Sequence, residues 1–415
     1  MIFTVIIALL FLSSASEPDS TEQSNFNVGQ ALEIAYSCNP AIRQLESEIE
    51  AQRQTQSLNL GIKSPELMYA REGIGGGTFT EQRWVVSQSL DFPLTGYYRL
   101  QGSKAGVSSL QSELHSLKLQ VKEEVKKAYT RLAHAIKSRY LAQERVDLFR
   151  NMRNAARARS DLGEASEIDA MQAELQLSEA ENNLESTQRV LMNERYNLFE
   201  IIGLDEQEQP YDISFPDTLH YVDVLIDQEA VLESIRAHPQ LSRFNALKTA
   251  ASFNTKAARS GYLPDINITY FRQDFGGGFE FNGFELGVTV PLWFGINETN
   301  EVRRAEAKER AMEWRFIEEE LSIKKQAEQA WHGYAAARAR IERFQASIQE
   351  RSRDLVGMTQ RGYRLGELDL LTLLEAQRTY LRTQQSYYDT LRDYYLSVIE
   401  LERFLQTDII FNQQI

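Results

Sequence analysis

The chain is written twice, and that repetition limits its architecture more than any other feature. Gln30-Ala31-Leu32-Glu33-Ile34-Ala35 leads to Asn39-Pro40 and a polar helical run. Glu229-Ala230-Val231-Leu232-Glu233-Ser234 leads to His238-Pro239 and a similar run. Both prolines suit the first turn of a helix, where a missing N–H costs nothing. Strand-like segments follow. In the second half Ile266, Ile268 and Tyr270 alternate with Asn267 and Thr269, and Phe284, Leu286, Val288, Val290 and Leu292 with Glu285, Gly287 and Thr289. In the first half Trp84, Val86, Leu90 and Phe92 stand opposite Arg83, Ser87, Ser89 and Asp91, while 65–74 is a strand by symmetry alone. Period-two alternation of this kind makes one face apolar and the other wet.

Glycines join each strand pair: Gly73, Gly75, Gly76 and Gly77, then Gly276, Gly277 and Gly278. Neither cluster opens a helix, as phosphate binding requires, so both are turn glycines. A long heptad stretch comes next in each half. One runs from Lys104 to about Arg159 through Val107, Leu110, Leu114, Leu117, Val121, Val125, Ala128, Leu132 and Ile136. The other runs from Val302 to about Arg361 through Met312, Ile317, Leu321, Ile341, Phe344, Ile348 and Leu355. Gaps of three and four residues predict coiled-coil helices, each roughly 80–90 Å long at 1.5 Å per residue. Both break at a polar glycine turn, 159–165 and 361–367, before a second helix from about Ser166 to Ile202 and from about Leu368 to Leu405.

The expected organisation is a signal peptide over 1–16, a first repeat over 17–202 with its hairpin at about 65–92, a linker over 203–227, a second repeat over 228–405 with its hairpin at about 265–293, and a tail over 406–415. The apolar run Ile2–Leu12, followed by Ser13, Ser14, Ala15 and Ser16, carries the export reading, although no basic residue precedes it. The single Cys38 can form no internal disulfide.

Charged residues make up 25% of the 415, and beyond the first dozen positions no apolar run reaches the length of a membrane helix. If the chain crosses a membrane it does so as strands, the other structure that satisfies every backbone polar group in lipid. Two hairpins cannot close a barrel, so several chains must pool their strands. A net charge of −14 argues against nucleic acid as a partner. His115, His134, His220, His238 and His332 fall in separate elements without metal-ligand spacing, and no nucleophile elbow or paired cysteine motif is present. The expectation is no catalytic residue, no resident metal and no cofactor. A coiled-coil tethering protein with a small soluble sheet is the non-membrane alternative, and the greasy-and-wet hairpins speak against it.

The duplicated plan, the Asn/His-Pro helix starts and the Leu-Gly-Glu turns resemble the TolC outer-membrane efflux family over nearly the whole mature chain. The stretch from Tyr363-Arg364-Leu365-Gly366-Glu367-Leu368 through Arg378 is similar to its heavy-metal branch, the CzcC- and CusC-like proteins. The resemblance implies a mainly α fold: a duplicated helical tunnel below a shared outer-membrane β-barrel to which each chain gives four strands. It implies a homotrimer in the outer membrane of a Gram-negative bacterium, a periplasmic adaptor, and an inner-membrane pump of the RND type. The branch implies heavy-metal cations as the cargo, with drug efflux or type I protein secretion as alternatives that the chain alone does not separate.

Leu162, Gly163, Glu164, Leu365, Gly366 and Glu367 become the adaptor-facing tip. Tyr363 and Asp169 match the family's gate tyrosine and aspartate, whereas its gate arginine is Leu368 here, so Arg361 or Arg364 could stand in, or a leucine constriction could do the closing. Trp84, Val86, Phe284, Leu286, Val288 and Val290 are expected to face lipid. Arg83, Ser87, Asp91, Asn267, Thr269 and Glu285 are expected to line the duct, with Trp293 and Phe294 in an interfacial girdle.

Overall fold

The computed structural model describes residues 26–58, 63–73, 81–163, 166–204, 219–365 and 367–411. The proposed signal peptide, Glu164, Gly366 and most of the first glycine cluster lie outside that set. The first repeat contains α1 (Val28–Cys38), α2 (Pro40–Leu58), β1 (Glu66–Glu72), β2 (Glu81–Leu90), α3 (Pro93–Asp161) and α4 (Glu167–Ile202). The second contains α5 (Gln228–Ser234), a short 3-10 turn, α6 (Pro239–Ser260), β3 (Asp265–Asp274), β4 (Glu280–Thr289), α7 (Asn297–Arg343), a π-helical turn (Phe344–Ile348), α8 (Gln349–Arg364) and α9 (Leu370–Leu405). The molecule is thus mainly helical, with one small antiparallel sheet.

The helix starts show how the duplication works locally. Asn39 caps α2, its Oδ1 accepting from the N–H groups of Ala41 (3.0 Å) and Ile42 (3.3 Å), while its Nδ2 donates to the Ile201 carbonyl at 2.9 Å. The end of α4 is thereby seated on the start of α2. Gly203 closes that joint with φ +79°, and a Cβ there would stand 2.7 Å from the Cys38 carbonyl oxygen. No other residue type fits both conditions. In the second repeat His238 caps α6, its Nδ1 accepting from the Gln240 N–H at 3.3 Å. Gln406 takes the left-handed place of Gly203, with φ 56°, and its Nε2 donates to the Ala237 carbonyl.

Burial pushes the His238 imidazole down to about 4, and the nearby Arg403 and His115 add to the shift. An unfolded histidine titrates near 6.5. The native state therefore refuses a proton that the unfolded chain takes up between those values. Stability from this group is complete above about pH 6.5 and falls as the pH drops towards 4, by about 2 kcal/mol once partial solvent access is allowed for. Melting curves across that window should show the loss in the native protein, and His238→Asn, which imitates Asn39, should flatten it.

Three apolar cores hold the helices. One joins α1, α2, α3 and α4 through Val121, Val125, Leu132, Leu198, Phe199 and Ile202. A second joins α7 and α9 through Ile323, Tyr334, Ile341, Leu391, Tyr394 and Tyr395. A third, nearer the tip, ties Phe149 and Met152 of α3 and Leu177 of α4 to Leu373 and Leu374 of α9. Phe411 packs against the first two, meeting Tyr129 and Tyr395 edge-on.

Several elements differ from the sequence expectation. Helix α3 starts at Pro93 rather than Lys104, because Pro93 opens its first turn and the intervening glycines do not break it. Gly102 instead lets α6 approach, with Asn254 Oδ1 where a Cβ would meet it at 3.0 Å. The second long helix is interrupted by the π-helical turn, which has no counterpart in α3. Its heptad residues Ile317 and Leu321 are exposed, and the buried face is built from Ile323, Ala327, Ala330 and Tyr334. Residues 219–227, assigned to a linker, are extended chain laid on α7 and α9. Tyr394 Oη accepts from the Val224 N–H and donates to the Val222 carbonyl, and Trp331 Nε1 donates to Ile226.

Candidate functional site

The four strands pair in the order β1-β2-β3-β4, so among the described residues the outer edges of β1 and β4 are unpaired. The register puts Leu67, Val86, Tyr270 and Phe284 in one row, with Ile268–Leu286 and Ile266–Val288 beside it on the same face. Tyr69 and Trp84 pack ring to ring in the next row, 4.6 Å between centroids. This face is a continuous apolar band, and Phe284, Leu286 and Val288 are all exposed. Val290 lies just past the end of β4 and continues the band, followed by exposed Leu292, Trp293 and Phe294 at the corner into α7. Towards the hairpin ends the same face turns polar, and Arg272 pairs with Glu280 at 2.5 Å.

The opposite face carries Arg83, Ser87, Asn267, Thr269 and Glu285, as the alternation requires. Asn267 Nδ2 donates to Thr289 Oγ1 at 2.6 Å, and Arg83 stands 3.6 Å from Glu285. Asp91 departs from the expectation. Strand β2 ends at Leu90, and the Asp91 carboxylate is buried in a pair of ion contacts, with Lys63 at 2.9 Å and with Arg99. It pins the sheet to the top of α3 and contributes little to an open wall.

That face also holds residues outside the expected lining. The Phe271 ring covers Gly283, whose Cβ would stand 2.2 Å from it, and the Arg83 guanidinium sits over the ring, 4.7 Å from its centroid. Covering a strand glycine with a cross-strand aromatic ring repairs the packing that the glycine lacks. Phe281 and Phe275 complete the cluster. The signal was visible in the sequence, because Phe271 and Phe281 fall at wet positions of the alternation.

At the far end of the helices the two turns come together. Helix α3 ends at Asp161, Gly163 turns the chain with φ +73°, and Ser166 caps α4 by accepting from the Ile168 N–H at 3.2 Å. Asp169 follows in the first turn of α4. Helix α8 ends at Arg364, and the Glu367 N–H closes the turn onto the Gly362 carbonyl at 2.9 Å. Leu162 and Leu365 project into solvent.

Tyr363 is half-buried beside the third core, and its Oη accepts from Arg159 Nη1 at 3.1 Å. The same guanidinium lies 5.6 Å from the Tyr363 ring centre. Leu368 does not reach across the tip. It packs on Gly362, where a Cβ would meet Leu368 Cδ1 at 2.7 Å. Arg361 is exposed, and the Arg364 side chain lies outside the described set. Asp369, next to Leu368, caps α9, and its bonds from Thr372 hold the carboxyl below the usual range. Sequence reasoning missed Arg159 as the partner of Tyr363, because nothing local links residues so far apart in the chain.

Among the described residues no helix is long and apolar enough to cross a membrane, which says nothing of strands. Residues 232–406 match the family model described as outer membrane efflux protein. The toluene efflux pump outer membrane protein TtgC of Pseudomonas putida is 23% identical over 265 residues, 59% of this chain and 52% of that one. The outer membrane efflux protein BepC of Brucella suis is 23% identical over 245 residues, 55% of this chain and 51% of its own. The chain thus spans about half the length of the curated relatives it matches.

Likeness of fold extends further. The Campylobacter jejuni CmeC outer membrane channel superposes with a TM-score of 0.78 at 14% identity, covering 95% of this chain and 90% of that one. CusC gives 0.70 at 16% identity, with 94% and 95% covered. These relatives and neighbours are channel and efflux proteins, not enzymes. The chain therefore has the fold of the TolC-like outer-membrane channels, and its second repeat carries the sequence signature of the outer membrane efflux proteins.

Proposed function

We propose that three copies of this chain form an outer-membrane efflux channel, with the sheets pooled into one barrel and the helices into a periplasmic tunnel. The sheet carries the reading. Among the described residues its two edges are unpaired and one broad face is apolar, a combination that neither water nor lipid tolerates in an isolated sheet. Closure by neighbouring copies removes the edges and turns the apolar band to lipid, with Trp84, Val86, Phe284, Leu286, Val288 and Val290 as the contact. The helices support the same assembly. Helix α4 and helix α7 flank the helical layer, and each exposes an apolar stripe at helical spacing: Ile168, Met171 and Leu175 on one, Trp314, Ile317 and Leu321 on the other.

In this reading Leu162, Gly163, Glu164, Leu365, Gly366 and Glu367 form the tip that meets a periplasmic adaptor, and an inner-membrane pump of the RND type supplies the energy. Tyr363 closes the tip through Arg159, a lock that replaces the arginine missing at Leu368. TtgC is named for toluene efflux and a further Pseudomonas putida relative, ArpC, for antibiotic efflux, which favours small organic cargo. Heavy-metal cations are the second reading, resting on the Tyr363–Arg378 stretch and the likeness of fold to CusC.

The decisive experiment is purification from membranes followed by reconstitution. The protein should require detergent for extraction, run as a trimer, and produce discrete conductance steps in planar bilayers. Release by salt alone, or a monomer without conductance, overturns the channel.

A further inference from the structure

Within the channel reading, we infer that the wet wall of the barrel bears a binding step for planar aromatic cations, built on Phe281 and Phe275 near the hairpin end. An aromatic patch on a wet strand face has no packing role to fill unless something lies over it. Phe271 has such a role, covering Gly283 and holding Arg83 over its ring. Phe281 is only partly occupied by packing, since 45% of it is exposed. It meets Phe271 edge-on at 6.0 Å and lies nearly parallel to Phe275, with centroids 5.5 Å apart and planes inclined by 25°. The cluster thus offers ring faces that are fixed by their neighbours and open to the wall's interior.

Charge selects the occupant. Among the described strand residues, this face carries Glu66, Glu72, Glu81, Asp265 and Glu285 against the single cation Arg83. Arg83 itself is engaged, lying on Phe271 and beside Glu285. Glu81 is linked to the platform through one residue. It accepts from Gln273, which pairs directly with Phe281 across the sheet. Glu81 also stands opposite Glu72 in register, a like-charge pair that a bound cation relieves.

An aromatic ring on Phe281 with its positive charge towards Glu81 satisfies both features, by stacking and by cation–π attraction. An aromatic anion gains the stacking and meets repulsion from the wall. A bare metal ion gains the charge and leaves the rings uncovered.

Binding of ethidium, a planar aromatic cation, to the detergent-solubilised trimer tests this directly, with 1-naphthoate as the anionic control. Fluorescence titration at low salt should show saturable ethidium binding, tighter than naphthoate. Phe281→Leu keeps the bulk and removes the ring, and should weaken ethidium about five- to tenfold. Phe281→Tyr should retain it, and Glu81→Gln should weaken it and blunt its salt dependence. Equal affinity for ethidium and naphthoate, or a dissociation constant unchanged in the Phe281→Leu trimer, overturns the site. The same preparations placed in planar bilayers separate the two questions: loss of conductance removes the channel, whereas a conducting trimer indifferent to Phe281 removes only the binding step.

Discussion

Replacing Lys126 by methionine is expected to destabilise the protein by about 3–5 kcal/mol, the range for breaking a buried ion pair from one side. Its ammonium is 2% exposed and lies 2.5 Å from both Glu402 Oε2 and Asp408 Oδ1. Glu402 uses its other oxygen to accept the N–H groups of Ile409 (2.6 Å) and Ile410 (2.8 Å). Lys122 makes a second contact with Asp408 at 2.6 Å. These bonds strap the segment after α9 onto α3, and so join the two repeats at the point where Phe411 bridges their cores.

Without Lys126, the Glu402 carboxylate is left buried without its cation. Lys122→Met should cost far less, because Lys122 is more exposed and Asp408 keeps Lys126. Thermal unfolding of the protein measures the ranking, and equal stability of the two variants would refute it. Burial raises the Asp408 carboxyl, but the bonds and charges of Lys122 and Lys126 outweigh it and leave the group lowered. This contribution is therefore fully present above the ordinary carboxylate range. It is lost only as the pH falls through the folded value, below about pH 4.

The legible parts of this fold are those written in short-range pattern. Alternation over β2, β3 and β4 is a local property of the chain, and the register confirms which residues share a face. The capping pair Asn39-Pro40 and His238-Pro239 is equally local, and marks helix starts in both repeats. What escaped depends on distant partners. Lys126 reads as one more solvated lysine in a heptad helix until Glu402 and Asp408 are brought to it. Nothing local gives Gly102 a place inside a long helix until α6 is seen to need the space. Arg159 looked like turn punctuation, and only the folded arrangement, in which α3 and α8 both end at the tip, makes it the partner of Tyr363. The resemblance placed Tyr363 at the tip, but the loss of arginine at Leu368 left its partner open.

That partner leads to a functional expectation: Arg159→Ala should raise the conductance of the closed trimer on the order of tenfold. A hydrogen bond from a charged donor contributes about 1.5–3 kcal/mol when protected, and a cation–π contact about 0.5–1 kcal/mol when exposed. Half-burial at the tip leaves roughly 1.4 kcal/mol, which is a factor of ten in the balance between closed and open. The surrounding helix makes the contact influential. Helix α8 packs against α9, and the buried residues it contributes include the small polar groups Ser352 and Thr359. Above it the π-helical turn interrupts the long helix, and there Gln345 Nε2 is bonded to Tyr387 Oη at 3.0 Å.

Between that turn and the tip, the Arg159–Tyr363 bond ties α8 to α3. Tyr363→Phe keeps the ring under the guanidinium and loses the hydrogen bond, so its effect should be smaller than that of Arg159→Ala. Arg159→Lys should not restore closure, because an ammonium lacks the planar fork that both bonds and stacks. Asp169→Asn provides the parallel test of the aspartate, and a rise in current equal to that of Arg159→Ala would assign it a share of the lock. If the closed-state current is unchanged in both Arg159→Ala and Tyr363→Phe, this pair is packing rather than gate, and closure must rest on the exposed leucines of the tip.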